Sequence, residues 1–168
     1  SLKKVTDETA STYKQFFEES AKSASKLNAK ITDLINASAN FAKLGYSLPD
    51  SQKLAEIATI YANVGELDIS EASSSIVSTM KAFKIGADDA GRIVDSFNHI
   101  GNMESITSGG IGEALQRSAS ALAESNNGLS QSIALIVGAN DVVQDPDVVG
   151  KYIAQVYSNV YSESSYIG

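Results

Sequence analysis

The chain has 168 residues, of which 43% are hydrophobic, and its formal net charge is −7 at neutral pH. This length and composition fit one globular domain, or one domain with an extension, and include no uninterrupted apolar stretch of the roughly 18 residues that a membrane span needs. Neither nucleic-acid binding nor cysteine chemistry is expected, because an acidic surface repels phosphate backbones and the chain has no cysteine for a disulfide or a thiolate metal site.

Apolar and small residues recur every three or four positions along the first part of the chain. They are Phe17, Ser20, Ala24, Leu27, Ile31, Leu34, Ser38 and Phe41, and we call them the seam. This heptad-like spacing predicts one long amphipathic helix over residues 1–45. Two interpretations remain open. Either the helix lies on the domain that follows, or the strong centre of the seam (Leu27, Ile31 and Leu34) drives self-association.

Residues 46–168 contain a succession of shorter helical patterns separated by turn residues. Gly45 ends the first helix, and Ser47 followed by Pro49 is typical of the start of the next. A faint internal repeat of roughly 36 residues, the size of a helix pair, indicates stacked hairpins. The predicted fold is therefore all-α, with a long N-terminal helix (1–45) followed by a compact array of helical hairpins (46–168).

The last helical pattern, which begins after the capping residue Asp145, has more large apolar residues than one core face requires. Tyr152, Val156 and Tyr157 lie on it, and its tyrosines have no interleaved basic residues, so stacking on nucleic-acid bases is not expected. Packing or contact with a protein partner is the alternative. Together with Leu27, Ile31 and Leu34, these are the predicted protein-interaction residues.

No arrangement in the sequence predicts a catalytic, cofactor or metal site. His99 is the only histidine, and Glu113 and Glu124, the acids best placed for a helical lytic enzyme, have no convincing partner. The glycines at 109–112 lack the lysine and serine of a phosphate-binding loop, so we interpret them as a connection between helices. We therefore expect no enzyme activity, no cofactor and no metal.

Five segments, in order, carry a family resemblance. They are 42–47 (AKLGYS), 67–72 (LDISEA), 92–98 (RIVDSFN), 111–116 (IGEALQ) and 140–150 (NDVVQDPDVVG). Their order and spacing resemble the core region of phage tail tape-measure proteins of the TP901 type. After Gly150 the chain departs from the basic, leucine-rich helix usual in that family.

The resemblance implies a fragment of a much longer, largely helical and multi-copy structural protein. It implies a place in the virion tail, or in the host cytoplasm during assembly, of a phage or prophage. The implied roles are tail assembly, tail-length determination and DNA ejection. The implied partners are further copies of the chain, the tail tube protein, tail assembly chaperones and tail-tip proteins. The alternative is a helical protein-interaction or adaptor module unrelated to phage tails.

Overall fold

The computed structural model describes the backbone of residues 9–165 and the side chains of residues 9–160. Within these residues the chain forms α-helices, a short 3-10 helix (Ala87–Asp89) and no strand, so the predicted all-α fold is confirmed. The helices are α1 (Ala10–Lys26), α2 (Ile31–Lys43), α3 (Leu48–Gly65), α4 (Ile69–Phe83), α5 (Gly91–Met103), α6 (Ser108–Glu124), α7 (Leu129–Val143) and α8 (Pro146–Ser165). The chain divides into two compact units, 1–73 and 74–168.

The first unit is built from α1, α2 and α3. Helices α2 and α3 pack most extensively, and α1 lies against both of them. Tyr13 and Phe16 of α1 form a buried cluster with Leu48 at the start of α3, and Ile35 and Ala39 of α2 pack on its edge. Each helix therefore buries its apolar face against the other two, as amphipathic helices of this length require.

The single long helix predicted for residues 1–45 is wrong, because the structure has two helices there. The chain leaves α1 at Leu27, and Asn28 adopts a left-handed conformation with φ of 52°. The amide of Ala29 donates to the carbonyl of Ala24 (2.9 Å), and that of Asn28 to the carbonyl of Ser25 (3.4 Å), which is the Schellman pattern of a helix end. The seam folds back on itself as a hairpin, and in this arrangement both helices bury apolar side chains. Residues 1–8 lie outside the described part.

Left-handed residues that are not glycine close four more helices. They are Glu66, Lys84, Asn126 and Gln144, with φ between 52° and 61°. Glycine is the usual residue in this conformation, which costs an L-amino acid about 1–2 kcal/mol. Among the glycines of the described residues, Gly45 alone has such a positive φ, and it follows α2 as predicted. Helix–helix burial therefore outweighs a local backbone cost at several turns.

Helix α6 is central to the second unit, since it packs against α5, α7 and, most extensively, α8. Ile111, Leu115 and Leu122 of α6 are fully buried. The glycines at 109–112 are not a connection, as the sequence indicated, but belong to α6 itself. Thr107 caps that helix by accepting a hydrogen bond from the amide of Gly110 (2.9 Å).

Helix α8 approaches α6 closely at Gly150. A methyl group built on Gly150 would lie 2.6 Å from the carbonyl oxygen of Ala114 and 2.9 Å from Cβ of Arg117. The backbone carbonyl cannot move aside without shifting α6. Gly150 therefore sets the separation of these two helices.

We expect Gly150→Ala to lower the free energy of unfolding by about 1–3 kcal/mol, the usual cost of overpacking. The matched control is Gly138→Ala in α7, where an added methyl group meets nothing within 4 Å. That variant should gain about 0.5–1 kcal/mol, because alanine loses less backbone entropy in a helix than glycine. Urea unfolding followed by circular dichroism measures both. Equal effects of the two substitutions would contradict the close contact.

Candidate interaction surfaces

Helix α8 has one buried and one exposed apolar side. Val149 and Ile153 are buried, and Ile153 is 6% exposed. The exposed side carries Val148, Tyr152, Val156 and Val160, each four residues after the last, and we call these residues the α8 stripe. Tyr152, at 64% exposure, stands out most. Residues four apart lie on the same side of a helix, so the α8 stripe is a continuous apolar strip.

An ionic cluster holds the first turns of α8 to α6. Asp147 accepts a hydrogen bond from Nε of Arg117 on α6 (3.1 Å) and another from Lys151, one turn along α8. The hydrogen bond from Lys151 is the largest influence that lowers the pKa of Asp147 below the ordinary value of 3.8, and Arg117 lowers it further. Partial burial opposes both of these influences. The cluster and the contact at Gly150 together fix which side of α8 faces outward.

The structure places the predicted interaction residues of α8 at or near the surface. Tyr152 and Val156 are exposed, and Tyr157 is half-buried. The sequence analysis missed Val148 and Val160 as members of the same strip. The signal was present as a four-residue repeat, but valines in a helical pattern are assigned first to the core.

The predicted centre of the seam is divided between surface and core. Ile31 is exposed and Leu27 is half-buried, whereas Leu34 is 1% exposed inside the first unit. Leu34 therefore offers no free surface in this conformation. These three residues belong to the first compact unit and the α8 stripe to the second, so the structure describes two separate candidate surfaces.

Histidine and carboxylate side chains do not gather into a metal-binding group in the part of the chain that the structure describes. No group of three or more histidines and carboxylates there could hold a metal ion. His99, Glu113 and Glu124 are exposed. A groove of about 460 Å³ near the start of α5 is lined by Lys84 and Arg92, among others, but Arg92 forms an ion pair with Asp89 (3.7 Å). The geometry is that of contact surfaces.

A family model described as phage-related minor tail protein matches residues 18–165 of this chain. The chain belongs to that family. The match extends over parts of both compact units and includes all of α2 to α8. Membership of the family supports a structural role for this chain in a phage tail, among other tail proteins. No solved structure matches the chain. None of the described helices is both long enough and apolar enough to span a membrane.

Neighbouring residues on α8 allow the two sides of the helix to be compared. We expect Tyr152→Ala to change the free energy of unfolding by less than about 0.5 kcal/mol, because an exposed side chain loses few contacts. Ile153→Ala should cost about 2–5 kcal/mol, because it leaves a cavity in the core. Urea denaturation of the two variants measures the difference. A large loss for Tyr152→Ala would contradict an outward-facing α8 stripe.

Asp147 should make the stability of this minor tail protein depend on acid pH. Its pKa is lower in the folded chain than in the unfolded chain, so its stabilising contribution is complete above about pH 5 and is lost as the pH falls below the ordinary value of 3.8. We therefore expect the stability difference between the natural chain and Asp147→Asn to stay constant near neutral pH and to shrink in acid. Urea unfolding at several pH values measures it, with the exposed Asp95→Asn as the control for loss of one negative charge. A difference that persists unchanged at pH 2 would contradict the cluster.

Proposed function

We propose that this chain is a structural segment of a phage or prophage tail tape-measure protein that takes part in tail assembly, tail-length determination and DNA ejection. The observation that carries the proposal is the family match across residues 18–165, which covers all five segments of the tape-measure resemblance. Membership of a tail family also favours this function over an adaptor unrelated to phages.

The fold is physically suited to length measurement. The described residues are mostly helical, and an α-helix rises 1.5 Å per residue whatever its sequence. With its hairpins opened and its helices laid end to end, such a chain would convert the number of residues into length in a regular way. No chemical step is needed for this role, and we infer that the segment is not an enzyme.

The proposed contacts are made by helix faces. The α8 stripe, with Tyr157 beside it, and the seam residues Leu27 and Ile31 present apolar surface to other helices. We propose that these surfaces meet further copies of the chain, the tail tube protein, assembly chaperones and tail-tip proteins, first in the host cytoplasm and then in the virion. The net charge of −7 disfavours direct DNA binding by this segment.

A change in the length of this segment tests the proposal. In a phage or prophage that encodes the chain, an in-frame duplication of residues 74–165 should lengthen the tail by up to roughly 140 Å, the length of that segment as extended α-helix. Electron microscopy of purified particles measures tail length, and a second duplication limited to α6 should give a proportionately smaller increase. The control is insertion of the same residues into a tail-tip protein, which should leave tail length unchanged. Infectious particles whose tails keep their original length would contradict the proposal.

A further inference from the structure

Much of the seam is buried within one chain, although its spacing is that of a contact between two helices. Ser20 and Ser38 each lie nine positions from Ala29, and Ala24 and Leu34 each lie five positions from it. All four side chains are buried. Residues at equal distances from a hairpin turn lie at the same level of the two helices, so the hairpin pairs the first half of the seam with the second half.

The connection between α1 and α2 has the composition of a helix interior. It consists of Leu27, Asn28, Ala29 and Lys30, without glycine or proline. Leucine, alanine and lysine are among the strongest helix formers. Asn28 is the residue that takes the left-handed conformation here, which asparagine tolerates better than most residues but less well than glycine. Local preference and the observed turn therefore disagree at this place.

Continuation of the helix through residues 27–30 would keep the seam in register. The spacing of three and four residues runs without interruption from Ala24 through Leu27 and Ile31 to Leu34. In a straight helix over residues 10–43, roughly 50 Å long, these side chains would form one stripe. The hairpin and the straight helix therefore use the same contact residues.

We propose that two copies of this chain exchange α1. Residues 27–30 become helical, α1 and α2 join into one helix, and α1 packs on α2 and α3 of the second copy. Such exchange of an identical element preserves every native contact outside the hinge. Tyr13 and Phe16 would meet Leu48 of the other copy, and the hydroxyl of Ser23 would donate to Glu56 of the other copy, as they do within one chain here.

When α1 leaves α2 and α3, it uncovers a surface whose shape already fits α1. The α1 helix of a second copy is therefore the partner that covers this surface. Helix α1 is attached to the rest of its unit less extensively than α2 is to α3. A polar attachment near the hinge is the hydrogen bond that Asn63 donates to the carbonyl of Leu27 (3.3 Å). Exchange gives up this bond and supplies the carbonyl of Leu27 with a helical partner. This inference concerns the chain alone and does not depend on the tape-measure function.

Substitutions at Asn28 should shift the equilibrium between monomer and dimer in opposite directions. Asn28→Ala disfavours the left-handed turn and should tighten the dimer roughly tenfold or more, whereas Asn28→Gly stabilises the turn and should weaken it by a similar factor. Light scattering coupled to size-exclusion chromatography, over a range of concentrations of the full chain, measures the dissociation constant. The matched controls are Asn126→Ala and Asn126→Gly, at the left-handed asparagine after α6 (φ 61°), where no seam crosses the turn.

Single cysteines test the contact directly. The chain has no cysteine, and the hydroxyls of Ser20 and Ser38 are buried without a hydrogen-bond partner, so replacement by a thiol removes no hydrogen bond. When a Ser20→Cys chain is mixed with a Ser38→Cys chain and oxidised glutathione is added as the two-electron oxidant, a disulfide should form between the chains after exchange. The control mixture pairs Ser20→Cys with Ser120→Cys, whose position on α6 is exposed.

Three results would overturn the proposal. They are a monomer at every concentration for all Asn28 variants, a dimer that forms no disulfide between positions 20 and 38, and equal responses to substitution at Asn28 and Asn126. If Asn28→Ala does not fold, Asn28→Gly and the cysteine mixture carry the test. None of these results changes the expected effect of a duplication on tail length, so the two proposals fail separately.

Discussion

The hairpins of this chain depend on a balance between helix burial and an unfavourable backbone conformation. At Asn28, Glu66, Lys84, Asn126 and Gln144 a residue other than glycine turns left-handed. Each such turn costs about 1–2 kcal/mol relative to a helical conformation. Full burial of one leucine or isoleucine contributes about 1.5–3 kcal/mol. One buried side chain on a helix, such as Leu34 on α2 or Leu122 on α6, therefore compensates for the turn that permits its burial.

The same balance explains how much of the fold the sequence could predict. Local signals located several helix starts correctly, because a cap acts within one turn of helix. Ser47, directly before α3, accepts a hydrogen bond from the amide of Asp50, and Pro49 lies in the first turn of that helix. Asp145 accepts a hydrogen bond from the amide of Val148 at the start of α8. The end of α1 has no comparable signal. Leu27, Ala29 and Lys30 favour helix, Asn28 is a weaker turn signal than glycine, and the packing of α1 on α2 and α3 turns the chain there.

The candidate surfaces were predictable only where exposure follows from periodicity. The stripe from Val148 to Val160 repeats every four residues, so Tyr152 and Val156 could be placed on α8 without knowledge of the other helices. Leu34 could not be placed in this way. A heptad pattern indicates that two helices pack along it, but it does not indicate whether the two helices belong to one chain or to two. The buried position of Leu34 shows that in this conformation they belong to one.

The proposed tape-measure role requires the chain to exist both as a separate chain before assembly and as part of an elongated structure afterwards. Glu66, Lys84 and Gln144 follow the helices they close, and glutamate, lysine and glutamine are good helix formers. Glycine at these positions would lower the free-energy cost of the left-handed turns in the compact units. It would also destabilise any continuous helix through the same residues. Because the chain has helix formers at these turns, local backbone energy favours the extended state, and the burial of helix faces opposes it. The contacts between helix faces then decide which state is populated, and those contacts can come from the same chain or from its neighbours in the tail.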